Sequence, residues 1–214
     1  PPSPPPLAPL VWSCPFDNSI GCSGAAVCND ATYTQALGFG LAQEYLQLTP
    51  ASNGKNGFVQ LPSAWHAGFS LTFENFFTSD SGADGVGIVY WQCPTSAPSC
   101  ADWNHAWDRP ENFMGDTGGL AWGLSEYQGK SRLAHGGTID EVAWNDQSYA
   151  GAWHSLALTY DGARLSGSID GTLIHENSVS TAPVMHDWCL VVGAWTGGVN
   201  NEHAIRNLQI NAGD

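Results

Sequence analysis

The sequence predicts an all-β protein, a sandwich or jelly roll built from short strands. Three observations carry this. First, Phe69, Leu71 and Phe73 alternate with Ser70, Thr72 and Glu74, the two-residue period of a strand with one buried face. Second, the chain holds 25 Gly and 10 Trp against only 12% charged residues, which suits strands and tight turns and opposes disorder. Third, about a dozen strand-like runs follow one another at short spacing, and none shows the period of an amphipathic helix. The 214 residues suffice for one domain with its own core.

Taken in order, residues 1–10 read PPSPPPLAPL, a polyproline II arm or linker, and residues 11–214 form the sandwich. A short strand falls near Val11 to Phe16, within a Cys- and Gly-rich entry segment. Tyr45 to Thr49 alternates as a strand. Pro50, Asn53-Gly54 and Asn56-Gly57 then read as a hairpin turn, with Phe58 to Leu61 as the return strand. Gly85 to Trp91 is almost wholly apolar, so it suits a central strand covered on both faces. Asp84 stands just before it, where a sheet's rim would place a carboxylate within a ligand's reach. Gly118 to Leu124 reads as a strand after a glycine turn. Trp153 to Tyr160 alternates into a strand, and Asp161-Gly162 and Asp170-Gly171 are turns that fold the following residues back on it. Cys189 to Trp195 and Ala204 to Ile210 close the domain.

Twenty acidic residues against six basic ones give a net charge of −14. Nucleic acid and anionic membrane surfaces are therefore poor partners, and no run is apolar enough to insert in a membrane. The six cysteines point to three disulfides and an oxidising, secreted or extracellular setting. Cys93 and Cys100 bracket a short Pro- and Ser-containing loop and are paired on that ground. Spacing does not assign the other four; one option joins Cys22 to Cys28 and leaves Cys14 for Cys189. A zinc site has no Cys-x-x-Cys pair in its favour. The chain shows no signal segment, as expected of a sequence read after processing. Trp103, Asn104 and Trp107 gather rings and a polar group, which either bind a sugar or cover the sheet.

Several stretches carry a family resemblance. Leu46 to Pro50, Phe69 to Phe73 and Gly82-Ala83-Asp84-Gly85-Val86-Gly87 resemble the first half of a legume-type (L-type) lectin domain. Gly118 to Tyr127 is similar to its central strand, and Gly193 to Ile205 to its last strands. The Trp153 to Ile174 segment is equally similar to laminin-G and pentraxin domains. The resemblance implies a concanavalin A-like jelly-roll sandwich of two antiparallel sheets. It also implies carbohydrate binding through Asp84, with a backbone N–H from Gly118 or Gly119. The first residues resemble the Ser-Pro-Pro-Pro runs of hydroxyproline-rich wall glycoproteins, which would make Pro4, Pro5 and Pro6 sites of hydroxylation and O-glycosylation.

One departure is marked. Metal-binding members carry a Glu-hydrophobic-Asp pattern in the central strand, where this chain has Gly123 and Ser125. No cofactor is therefore expected. The alternative calcium loop would draw on Asp140, Glu141, Asn145 and Asp146. No strand carries the paired acids of a glycosidase, and the seven histidines stand apart from any nucleophile motif, so they are expected at the surface or at strand ends. The reading is a non-catalytic extracellular module whose partners are glycans. The alternative is a structural subunit of a fibre, cell wall or flagellar coat, assembled with copies of itself or other wall glycoproteins through the proline-rich arm and the sandwich surfaces. In both readings Asp84 could serve as a turn residue as well as a ligand.

Overall fold

A computed structural model describes residues 10–14, 16, 25–34, 45–63, 68–78, 84–92, 119–136, 138–144, 149–179 and 188–213. Among them are fifteen strands and no helix, arranged as two antiparallel sheets. This is the expected jelly-roll sandwich. The first sheet runs β13 (Thr172–Ser178), β12 (Arg164–Ile169), β11 (Trp153–Tyr160), β6 (Gly68–Phe77), β15 (His203–Gly213), β4 (Tyr45–Thr49) and β3 (Thr32–Thr34). A further strand, β1 (Leu10–Cys14), pairs with the later part of β15, so the last residue of the proline-rich stretch already belongs to a sheet. The second sheet runs β10 (Thr138–Ala143), β9 (Lys130–His135), β8 (Leu120–Ser125), β7 (Gly85–Gln92), β14 (Trp188–Trp195), β5 (Asn56–Ser63) and β2 (Ala26–Asn29). Residues 1–9, including Pro4, Pro5 and Pro6, lie outside the described residues.

The alternating pattern of β6 does what it predicts. Phe69, Leu71 and Phe73 are all buried in the core between the sheets, among Leu156 and Leu158 of β11 and Ile88, Trp122 and Leu124 of the second sheet. Each such side chain contributes about 1.5–3 kcal/mol when fully buried. In β7 the residues between these also disappear from solvent: Val89 joins Phe58, Ala121 and Val191 in a separate buried cluster. That is the covering on both faces expected of an unbroken apolar strand. Trp122 reaches across to β12, where a Cβ added at Gly167 would lie 2.2 Å from the indole ring. The β11–β12–β13 meander turns at Asp161-Gly162 and at Asp170-Gly171, and both residues of the second turn have positive φ, 50° and 74°.

One expectation needs correction. The Tyr45–Thr49 and Phe58–Leu61 runs are not a hairpin. β4 pairs with β15 and β3 in one sheet, and β5 pairs with β14 and β2 in the other. The turn around Gly54 (φ 65°) carries the chain across the sandwich. A side chain at Gly57 would lie 1.9 Å from the Leu48 carbonyl oxygen, so the two segments cross backbone against backbone. Of the alternative calcium loop, Asp140 and Glu141 lie on strand β10. Asp140 and Glu141 follow one another on it and take separate partners. Asp140 meets His175 and Asn177, whereas Glu141 meets Lys130 and Arg132. Asn145 and Asp146 lie outside the described residues.

Candidate functional site

Asp84 stands at the start of β7, half-buried, and its backbone is pinned on both sides. Its N–H donates to the Trp195 carbonyl at 2.7 Å, and its own carbonyl accepts from the Glu126 N–H at 3.0 Å. Gly85 follows because a Cβ there would lie 2.0 Å from the Leu124 carbonyl oxygen. The Asp84 carboxylate lies against the segment between β14 and β15. A Cβ at Gly197 would come within 2.5 Å of Oδ2, so a larger residue there would displace the carboxylate.

That segment, residues 196–202, is held at its near end by the turn that sequence reasoning read as a hairpin. Thr196 Oγ1 donates to the Ser52 carbonyl at 2.7 Å and accepts from the Lys55 N–H at 2.9 Å. Asn53 Nδ2 donates to the Gly198 carbonyl, and Asn200 Nδ2 donates to Asn53 Oδ1. At its far end the loop is held from below by Glu126, the residue after β8. Glu126 Oε2 accepts from Asn201 Nδ2 at 2.7 Å, and Oε1 lies 2.8 Å from His203 Nε2. His203 Nδ1 lies 2.7 Å from Thr49 Oγ1. Asn201 Oδ1 accepts from both the N–H and the hydroxyl of Thr78, at 2.9 and 2.7 Å. Beside them Glu202 accepts from Gln47 Nε2 at 2.8 Å. Burial and the Glu202 carboxylate push the Tyr45 hydroxyl above its ordinary range. The side chains of Glu126 and His203 are both completely buried.

The structure separates other residues expected to act together. Gly119 is buried just before β8, beside Leu120, whose partner on β7 is Tyr90. Asp84 adjoins the other end of the same pair, where Gly85 meets Ser125. The six residues of β8, about 20 Å of strand, stand between them. Gly118, Trp103, Asn104 and Trp107 lie outside the described residues, as do Cys22, Cys93 and Cys100. Cys14 and Cys28 are buried and disulfide-bonded, and of Cys189 only the backbone, on β14, is described. Among the described histidines, those at strand ends fit the expectation, but none is exposed. His203 and His135 do stand at strand ends, yet both are buried, and His175 is buried within β13. His203 and His175 fill polar needs inside the fold. His175, for instance, bridges Ser131 Oγ (3.3 Å) and Asp140 Oδ2 (3.1 Å). Ser131, His175 and Asp140 thus stand in the order of a hydrolytic triad. The Ser131 hydroxyl is fully buried and accepts a bond from Trp122 Nε1 at 2.9 Å, so no substrate reaches it.

A hard divalent cation does not fit at Glu126. Such an ion takes six to eight oxygen ligands, several of them anionic. Gly123 offers no side chain, and both Glu126 oxygens already accept protein donors. Among the described residues no group of three His, Cys, Asp or Glu side chains is placed to hold a metal ion.

No family model matches the chain, and no curated protein matches it. Solved structures do. The Emp47p carbohydrate recognition domain superposes with a TM-score of 0.70 at 12% identity, over 100% of both chains. The metal-free VIP36 exoplasmic/lumenal domain gives 0.66 at 12%, covering 94% of this chain and 92% of that one. The VIP36 domain is also known in a Ca2+/Man3GlcNAc-bound form, with a TM-score of 0.64 at 13% identity over 89% and 84%. Lectin UEA-II complexed with galactose gives 0.65 at 14%, over 95% and 98%. The fold is that of the L-type lectins. At this identity the likeness concerns the fold, and within the L-type lectin fold Asp84, Glu126, Asn201 and His203 cluster where β7, β8 and β15 meet. Of these, sequence reasoning singled out Asp84. It missed Asn201 and His203, whose partner lies 75 and 77 residues away in the chain.

Proposed function

We propose that the chain is a non-catalytic carbohydrate-binding module that works outside the cytosol, with Asp84 as its principal sugar ligand. The observation that carries this is the seating of Asp84 on Gly197 at the end of the second sheet. Its half-buried carboxylate can accept hydrogen bonds from sugar hydroxyls. The turn that begins at Glu126 exposes Tyr127, 66% accessible, and the loop that carries Gly197 exposes Val199, 43% accessible. Such surfaces suit the apolar C–H faces of a pyranose. Neighbours of the same fold are solved with glycans bound, which supports the class of ligand. The disulfide-bonded Cys14 and Cys28 support an oxidising compartment. The burial of the Ser131 hydroxyl beside His175 supports a binding role over hydrolysis. The fibre-subunit alternative draws on the proline-rich arm, of which residues 1–9 lie outside the described part, and on the sandwich surfaces.

A glycan array probed with the intact chain tests this. High-mannose, galactosylated and arabinosylated glycans should be represented. Binding to at least one class is expected, with Asp84→Ala weakening it about ten- to hundredfold, the loss that follows when a charged hydrogen-bond acceptor is removed. An array with no signal, or a signal that Asp84→Ala leaves unchanged, contradicts the reading.

A further inference from the structure

We propose that the Glu126–His203–Asn201 cluster takes the place of a bound cation in this fold, fixing the 196–202 loop beside Asp84 with side-chain hydrogen bonds alone. The sugar site of the proposed function, on which this inference rests, is then independent of divalent metal.

The argument starts from Asn201. Its amide orientation follows from its neighbours, because Oδ1 faces the Thr78 backbone N–H, which can only donate. The amide nitrogen therefore points at Glu126 Oε2. An N–H2 group satisfies a carboxylate and repels a cation, so Asn201 presents to Glu126 the end that a metal site could not use. His203 does the same for the other oxygen through Nε2. Its second nitrogen is met by Thr49 Oγ1, and the Thr49 hydroxyl also reaches the Asn201 carbonyl at 3.3 Å. The cluster thus closes on itself, with every polar atom of the Glu126 and His203 side chains partnered.

Its connections explain what it fixes. Glu126 grips Asp84 through its backbone N–H and the loop end through its side chain. Thr78 follows β6 and Thr49 ends β4, so strands of the first sheet anchor the same loop. The carboxylate binds Asn201 and His203 at the start of β15, and through them the ends of β4 and β6 in the first sheet are joined to the end of β8 in the second. A cation placed among oxygen ligands would bring such ends together in the same way. Here the central group is the carboxylate and the donors surround it.

The test needs no sugar. Amide hydrogen exchange across residues 84–86 and 196–203, with thermal unfolding alongside, is measured on the intact chain in excess EDTA and again in millimolar calcium chloride. The inference expects the same protection and the same melting temperature in both. It expects Glu126→Ala to speed exchange in 196–203 by about ten- to hundredfold, the effect of leaving buried donors unmatched. Protection in β6 should persist. Glu126→Gln, whose side-chain oxygen still accepts from Asn201, should recover much of the loss. If Glu126→Ala does not fold, Asn201→Ala carries the test, since it frees the loop and leaves the Glu126–His203 pair in place. Calcium that raises the wild-type melting temperature or slows loop exchange overturns the inference, as a bound ion stabilises by mass action. So does unchanged loop exchange in Glu126→Ala or, where that variant does not fold, in Asn201→Ala. A chain that binds no glycan yet keeps chelator-insensitive, Glu126-dependent protection supports the inference and overturns the sugar reading alone.

Discussion

Two of the histidine–carboxylate pairs in this sandwich have a fully buried imidazole, and they differ in one respect. Glu126 and His203 are both fully buried where loops meet strand ends. His175 is equally buried, but its partner Asp140 stands on edge strand β10 with 47% of its side chain exposed. Chemically the pairs are alike: an imidazole with a hydroxyl on one nitrogen and a carboxylate on the other. Exposure sets their worth. A half-solvated carboxylate keeps its water and loses little when the pair is broken, whereas a sealed one strands its donors. The first pair therefore controls the local order of a loop, and the second ties two edge strands together at small cost.

This contrast can be broken at several points. The largest effect belongs to Glu126→Ala, which removes the acceptor of two buried donors. We expect it to cost about 3–5 kcal/mol in denaturant unfolding, the range for breaking a buried pair on one side. Next comes Gly167→Ala, which drives a methyl into the Trp122 ring that also supports Ser131. Overpacking of this kind costs about 1–3 kcal/mol, read as an earlier denaturant midpoint with an unchanged slope. Asp140→Asn should cost no more than about 1 kcal/mol in the same assay, because its carboxylate is half solvated. A loss as large as that of Glu126→Ala would erase the distinction.

The smallest effect is one of pH. Asp161 is held below the usual carboxylate range by the backbone N–H groups of Ala163 and Arg164. For Asp170 burial pushes upward, but the His154 and Ser155 bonds outweigh it and the net shift is downward. A lowered native value means stability that is present above the unfolded value of about 3.9 and is lost as pH falls through the native one. Exchange protection in the β11–β12–β13 meander should therefore fall in acid below about pH 4, and Asp161→Asn should flatten part of that dependence.

The legible and illegible parts of the sequence follow from the range of the interactions. β6, β7 and the meander were readable because alternation and Asp-Gly turns are local signals, set within two or three residues. The hairpin assigned to β4 and β5 failed because Asn53-Gly54 specifies a turn and not its partners, which are distant strands β15 and β14. β9 escaped notice because KSRLAH has little apolar period; Ser131, Arg132 and His135 are all buried in it. Asp84 was visible through its glycine neighbour. The cluster beneath it was not, because Asn201 and His203 reach Glu126 only once two sheets have closed.

The account is tested most directly by titration calorimetry of the strongest array glycan into the intact chain in EDTA, beside Asp84→Asn. It predicts binding that survives chelation and that Asp84→Asn weakens by tenfold or more, about 1.4 kcal/mol. Binding that appears only with added calcium, or that Asp84→Asn leaves intact, would contradict it.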